Sequence, residues 1–442
     1  MIRLIATLIA WIALAILHAA LAAAAPLPQQ SPDRTLGVGD CTNSLCHGSA
    51  QQWKESRVLQ NEYLIWSRRD KHARAYSVLL GAPAQAIARK LGMTEAPQSA
   101  GQCLDCHAHN VPAARRGPKF VLADGVACET CHGPAQRWIT SHVEPNATHA
   151  QNLANGMYAT ADDVQRARLC LSCHFGTADK FVDHRLIAAG HPRLSFELDT
   201  FSQIEPAHFR IDADWMERKG RWESTRSWAV GQSLAATQLL RTLADSKRGH
   251  AGLFPELSLF DCHACHKLMQ GKKWGPRQGT GLGPGVVRLN DANLVMFRYV
   301  LAPVDKAAAQ RVLEETRALH RATTESRDGT FAAARKLRAT LAELLPKVSA
   351  YSYDAASLDV ILASFVADAE RGEFRDFSSA EQVAMASQSV VVAFENAGKL
   401  DKDQAARLHA KLDALYETVK DENNYAMARF DGALKDLRTA AP

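Results

Sequence analysis

Ten cysteines constrain this 442-residue chain more than any other feature. They fall in five close pairs, Cys41/Cys46, Cys103/Cys106, Cys128/Cys131, Cys170/Cys173 and Cys262/Cys265, with none left over. The second cysteine of every pair is followed directly by a histidine: His47, His107, His132, His174 and His266. With 17 histidines in the chain, chance would produce all five in about one sequence in ten million, so the Cys-x-x-Cys-His pattern is real. Two thiols at this spacing add across the two vinyl groups of one haem, and the adjacent histidine reaches the iron as its proximal ligand. Four motifs have the usual two-residue gap; the first, Cys41 to His47, has four residues between its thiols. Zinc needs four ligands in one cluster, and nothing in the sequence pairs these motifs that way. The expected cofactor is therefore haem c, five copies, covalently bound.

Residues 1–25 read as a secretory signal peptide, with a basic start at Arg3, an apolar run from Leu4 to Leu17 and small residues at Ala22 to Ala24. The alternative is an uncleaved N-terminal membrane anchor, since the run is about long enough to span a bilayer. Either way the chain is expected to be exported, with a periplasmic location. Apolar residues make up 47% and charged residues 22%, which excludes disorder as the dominant state. The formal charge of +5 is too mild to argue for nucleic acid. Each ferric haem c adds about −1, which brings the loaded protein close to neutrality.

A second axial ligand decides whether an iron only carries electrons or also binds substrate. Beyond the five proximal residues, the haem-bearing stretch holds His72, His109, His142, His149, His184, His191, His208, His250 and His263. Its methionines are Met93, Met157, Met216 and Met269. This supply favours His/His coordination, which gives lower potentials than His/Met.

The order of motifs resembles the cytochrome c-554 family over residues 38 to 175. The resemblance is carried by Cys41 to His47, Trp53-Lys54-Glu55-Ser56, Lys71-His72-Ala73 and Cys103 to His107. It continues in Gly125-Val-Ala-Cys128-Glu-Thr-Cys131-His132-Gly133-Pro134, in His142 and in Cys170 to His174. It implies that His72 caps the iron held by His132 and that His142 caps the iron held by His47. It also implies that the haem on His107 matches one that is five-coordinate in the family's nitrifier member. The sequence departs from the family in its wide first motif, in the absence of histidine between Asp162 and Leu169, in its fifth motif and in its long cysteine-free tail. The distal ligands of the haems on His107, His174 and His266 are thus open. His191 is the first candidate and His184 the next, followed by His149 or His109. His208, His250 and His263 stand behind them, and His320 and His409 read as surface residues outside the haem region. Two basic clusters, Arg68, Arg69, Lys71 and Arg74, then Arg115, Arg116 and Lys119, suit either haem propionates or an ordinary solvated face.

The expected fold class is mainly α. Short helices and loops around covalent haems form a pentahaem domain over 26–270. A Gly-rich linker follows over 271–285, then a helical bundle over 286–442. A helix is expected at Ser227 to Ser246, with Trp228, Ala235, Leu239 and Leu243 on one stripe and Gly249 as its stop. The linker lacks the Gly-Lys-Ser/Thr ending of a phosphate loop. In the tail, helical spacing relates Phe331, Ala334, Leu337, Leu341 and Leu344, and again Leu408, Leu412, Leu415 and Val419. Four to six helices are expected there, with a capping box at Ser379–Gln382 and stops at Gly398 and Gly432. The bundle serves as support for the haem domain or as a surface for partners or self-association.

Two functions fit. One is an electron-transfer module whose partners are periplasmic or membrane-bound redox proteins. The other is a haem reductase or oxidase of a small nitrogen or sulfur oxyanion at one five-coordinate iron, with the haem on His107 as its site. The chain's investment in haem, with no other visible chemistry, leans towards the carrier. A haem-based gas sensor is weaker, because sensing seldom needs five haems.

Overall fold

The computed structural model describes residues 25–249, 254–266 and 279–442. The expected signal peptide, His250 and most of the Gly-rich stretch lie outside these residues. Among the described residues there are eighteen α-helices and no strands, only isolated bridges such as Thr35 with Arg116. No described helix is long and apolar enough to cross a membrane.

The first nine helices are short: α1 (Glu62–Arg69), α2 (Ala82–Leu91), α3 (Gly101–His107), α4 (Cys128–His132), α5 (His149–Ala154), α6 (Asp163–His174), α7 (His184–Ala189), α8 (Leu198–Ile204) and α9 (Ala213–Lys219). They pack through small apolar clusters. One comprises Leu79, Leu104 and Ala108; another comprises Ala167, Leu171, Leu198, Val230 and Ala235.

The next helix, α10 (Ser224–Leu243), is the spine of the molecule. The expected stripe is buried, with Trp228 and Leu243 at 0% exposure. Burial extends well beyond that stripe, because α10 packs against α6 and α8 on the haem-bearing side and against the C-terminal helices on the other. Gly231 permits this: a Cβ there would lie 2.6 Å from the Cβ of Leu198 at the start of α8. The helix ends at Leu243, capped by Ala244, so Gly249 is not its stop.

After the short α11 (Cys262–Cys265) come seven further helices, more than the four to six expected. They are α12 (Ala292–Leu301), α13 (Lys306–Glu325), α14 (Arg327–Ala350), α15 (Ala355–Glu370), α16 (Phe377–Asn396), α17 (Lys402–Thr418) and α18 (Met427–Ala440). Side-chain caps divide them: Asp305, Ser326, Asp354, Asp376 and Asp401 each accept a backbone N–H from the first turn of the next helix. Asp376 is thus the cap of α16, and Ser379 is the residue whose N–H it receives at 2.7 Å, so the expected capping box is displaced. Gly398, left-handed at φ 65°, follows the end of α16 as expected. Gly432 lies inside α18 and stops nothing.

One continuous apolar core runs through α10 and α12–α18, including Trp228, Phe297, Phe365, Phe374, Phe394 and Phe430. His320 is part of this interior and is fully buried, contrary to the surface position expected of it. A hydrogen bond with Asp291 (Nε2 to Oδ2, 3.0 Å) lets a polar ring sit there. His409 is exposed beside Glu395. The described end of the Gly-rich stretch is pinned to the bundle, where Gly279 donates its N–H to the Glu373 carboxylate at 2.8 Å.

Candidate haem sites

Four motifs lie on helices: α3, α4, α6 and α11. Residues three apart on a helix share a face, so both thiols of each motif point the same way. The wide first motif is a compact turn, with the N–H of His47 donated to Cys41 O at 3.1 Å and that of Cys46 to Asn43 O at 2.8 Å. Gly48 closes it, since a Cβ would stand 1.9 Å from Thr42 O.

Each motif histidine faces one other histidine, and no histidine is used twice. The ring centres are 6.3 Å apart for His47 and His142, and 6.4 Å for His107 and His191. The separation is 6.1 Å both for His132 with His208 and for His174 with His72, and 6.2 Å for His266 with His184. An imidazole nitrogen binds a metal at about 2 Å, and its ring centre lies about 1 Å behind that nitrogen. Two rings facing across one iron therefore put their centres about 6 Å apart.

The hydrogen bonds supply an independent test of fit. The Nδ1 atoms of five of these rings meet pure acceptors. His47 meets Glu62 Oε2 at 3.0 Å and His72 meets Asp70 Oδ1 at 3.1 Å. His107 meets Ala75 O at 2.9 Å, His142 meets Ile139 O at 2.6 Å and His191 meets Pro192 O at 2.8 Å. Carboxylates and carbonyls only accept, so Nδ1 carries a proton in each ring and Nε2 is the nitrogen that would meet a metal. Burial pushes the pKa of His132 down to about 3, which keeps that ring neutral. The residues therefore fit haem iron between paired imidazoles.

The structure redistributes the expected partners. His142 stands opposite His47. His72 stands opposite His174 and not His132, the pairing that the family resemblance implied. His132 is met instead by His208, from the loop between α8 and α9, a residue placed behind the other candidates because nothing local in Pro206-Ala-His208-Phe209 marks it. His191 and His184 face His107 and His266. His109 faces no motif histidine: it is buried, its Nε2 meets Thr35 Oγ1 at 3.0 Å, and burial takes its pKa to about 4. His263 turns to the Phe377 ring, and His149 is paired with none of the motifs. Of the basic clusters, Arg115 holds the carbonyls of Gln29 and Ser31, Arg116 holds Val111 O, and Lys119 pairs with Asp40 at 2.6 Å.

Hydrogen bonds also tie the sites to one another. Buried Glu129, inside the third motif, receives the N–H groups of Leu36 and Gly37 just ahead of the first motif, at 2.9 and 2.7 Å. His132 O accepts from Tyr158 N at 2.8 Å, and the Tyr158 hydroxyl donates to Gln165 O at 3.0 Å on α6, the helix of the fourth motif. Lys180 Nζ reaches Cys173 Sγ of the fourth motif at 3.0 Å and Asp105 O of the second at 2.9 Å.

A helical scaffold bearing repeated Cys-x-x-Cys-His motifs with facing imidazoles defines a c-type cytochrome, a class that binds haem covalently and serves electron transfer in general. Within that class, residues 41–133 match the family described as cytochrome c554 and c-prime, a stretch holding the first three motifs. No curated protein and no solved structure matches the chain.

Proposed function

We propose that this protein is an exported electron carrier that passes electrons between periplasmic or membrane-bound redox partners by way of five closely spaced haems with His/His ligation. The observation that carries this reading is the facing of all five motif histidines by a second histidine within a narrow band of distances. Covalently bound haem supplies the one-electron chemistry. The chain's own part is to fix each axial ring, to hold its proton on Nδ1 and to keep successive sites close. Glu62, Asp70 and the carbonyls of Ala75, Ile139 and Pro192 do the orienting. His191 opposite His107 weighs against an open iron at the one site where the family resemblance suggests substrate chemistry. The signal-like N-terminus supports the export part of this reading.

Low-temperature EPR of the fully oxidised protein, with haem quantified in the same sample, tests this. Five low-spin irons are expected. The rings of His47/His142 and His184/His266 are near-parallel, at 14° and 22°, and those of the other three pairs are near-perpendicular, at 83–87°. Parallel rings split the iron's two π-bonding d orbitals and perpendicular rings leave them nearly degenerate. Two rhombic and three strongly anisotropic low-spin signals should therefore appear. A stoichiometric high-spin signal that shifts with nitrite or hydroxylamine would reject the closed-iron carrier in favour of the oxyanion enzyme.

A further inference from the structure

The fifth motif has no place in the matched segment, yet the helix that supplies its facing histidine also delivers the one facing the second motif. His184 opens α7 and faces His266 of the fifth site. His191, just past the end of the same helix, faces His107 of the second. The two histidines thus sit at opposite ends of one six-residue helix. The piece joining them is rigid: Asp183 caps α7 at Leu186 N, 2.8 Å. Gly190, left-handed at φ 118°, folds the chain back so that its N–H and that of His191 return to Ile187 O and Leu186 O, at 2.9 and 3.1 Å.

The other side of the fifth site rests on the bundle. Asp261, immediately before Cys262, shares Arg288 with the α16 cap Asp376, at 3.3 and 2.8 Å. The ring of His263 meets Phe377 at the start of α16. Arg193, two residues beyond His191, lies over that same Phe377 ring and pairs with Glu381 at 3.2 Å. The N–H of His184 is held at 2.7 Å by Glu256, which precedes the fifth motif.

We infer that the fifth site extends the series at the second site's end, so that the sites run first, third, fourth, second, fifth. The second is thereby an interior station and the fifth a terminal one, mounted on the C-terminal helices. This rests on the five-haem carrier reading. The C-terminal bundle then acts as the seat that holds the terminal site at a fixed distance from its neighbour.

Adjacent haems in a protein interior interact electrostatically, and distant ones do so much less. Replacing an axial histidine by methionine raises the potential of that haem and so tags it. Spectroelectrochemical titration of the loaded His184→Met, His191→Met and His142→Met proteins, singly and in pairs, reads the coupling. In the His184→Met/His191→Met protein, the lower of the two raised midpoints should fall below its single-variant value. In His184→Met/His142→Met, both raised midpoints should keep their single-variant values. Additive midpoints in the first pair, or displacement in the second, would overturn the order. Should a methionine variant lose its haem, Cys262→Ser/Cys265→Ser removes the fifth haem outright. The midpoint of the His191→Met haem should then rise while that of the His142→Met haem stays, and the reverse pattern overturns the order. High-spin iron in the unsubstituted protein would instead fault the carrier reading and leave the coupling test intact.

Discussion

The haem-bearing region and the C-terminal bundle are both helical, but they are held together differently. From α12 to α18 the helices bury a continuous apolar core studded with fully buried phenylalanines. From α1 to α9 the helices run five to twelve residues, and their apolar clusters hold only a few side chains each. Short isolated helices are marginal in water. The bundle therefore draws its stability from its own side chains, whereas the other half, which carries four of the five motifs, would draw on the haems proposed for it. The spine α10 belongs to both, burying one face against α6 and α8 and the other in the bundle core.

Withholding haem should separate the two halves most strongly. Chain produced without cytochrome maturation should lose protease protection across α1–α9, while α10 and α12–α18 survive as a resistant unit; mass spectrometry of the digest reads this directly. Digestion of the bundle at the same rate would show that both halves depend on haem and remove the contrast.

Core truncation probes the same contrast at a smaller scale. Phe297→Ala, at 0% exposure inside the bundle core, should cost about 3–5 kcal/mol, and Leu79→Ala, in the three-residue cluster beside α3, about 2 kcal/mol. Denaturant midpoints of the loaded proteins, followed by far-UV circular dichroism, check the ranking.

A weaker response is expected on the seam between the halves. At the start of α8, Asp199 and Glu197 are buried together, and burial with the neighbouring Glu197 carboxylate pushes the pKa of Asp199 up to about 8. An acid raised in the folded state binds its proton more tightly there than in the unfolded chain. Its stabilising contribution is complete below its unfolded value of about 4 and is lost as pH rises through about 8. Thermal midpoints should fall across that window, and Asp199→Asn should flatten the slope. An unchanged slope in that variant would remove Asp199 from the account.

Much of the haem chemistry is written locally. Thioether attachment needs two thiols and a histidine within a few residues, so the five motifs can be read from spacing. The same holds for the apolar stripes of α10, α14 and α17, whose period is a property of the helix. Helix ends are less legible, as Asp376 and Gly432 show, because a cap depends on which residue leaves the helical conformation and not only on composition. The burial of His320 escapes sequence reading for a related reason: it depends on a partner, Asp291, twenty-nine residues away.

Distal ligands belong to the tertiary structure. A histidine that approaches an iron from the far side is delivered by a loop from elsewhere in the chain, and no periodicity marks the loop that arrives. His208 reaches across to His132 because α8 and α9 hold its loop there. His72 goes to His174 because Asp70 orients it beside α6. That this chain carries haem follows from the order of amino acids alone, and the same order nominates the tethering residues, since covalent attachment is a short-range event. Which imidazoles face one another, and in what order the motifs lie, is set only when α7, α10 and the bundle pack against one another, because those are distances between residues far apart in the chain.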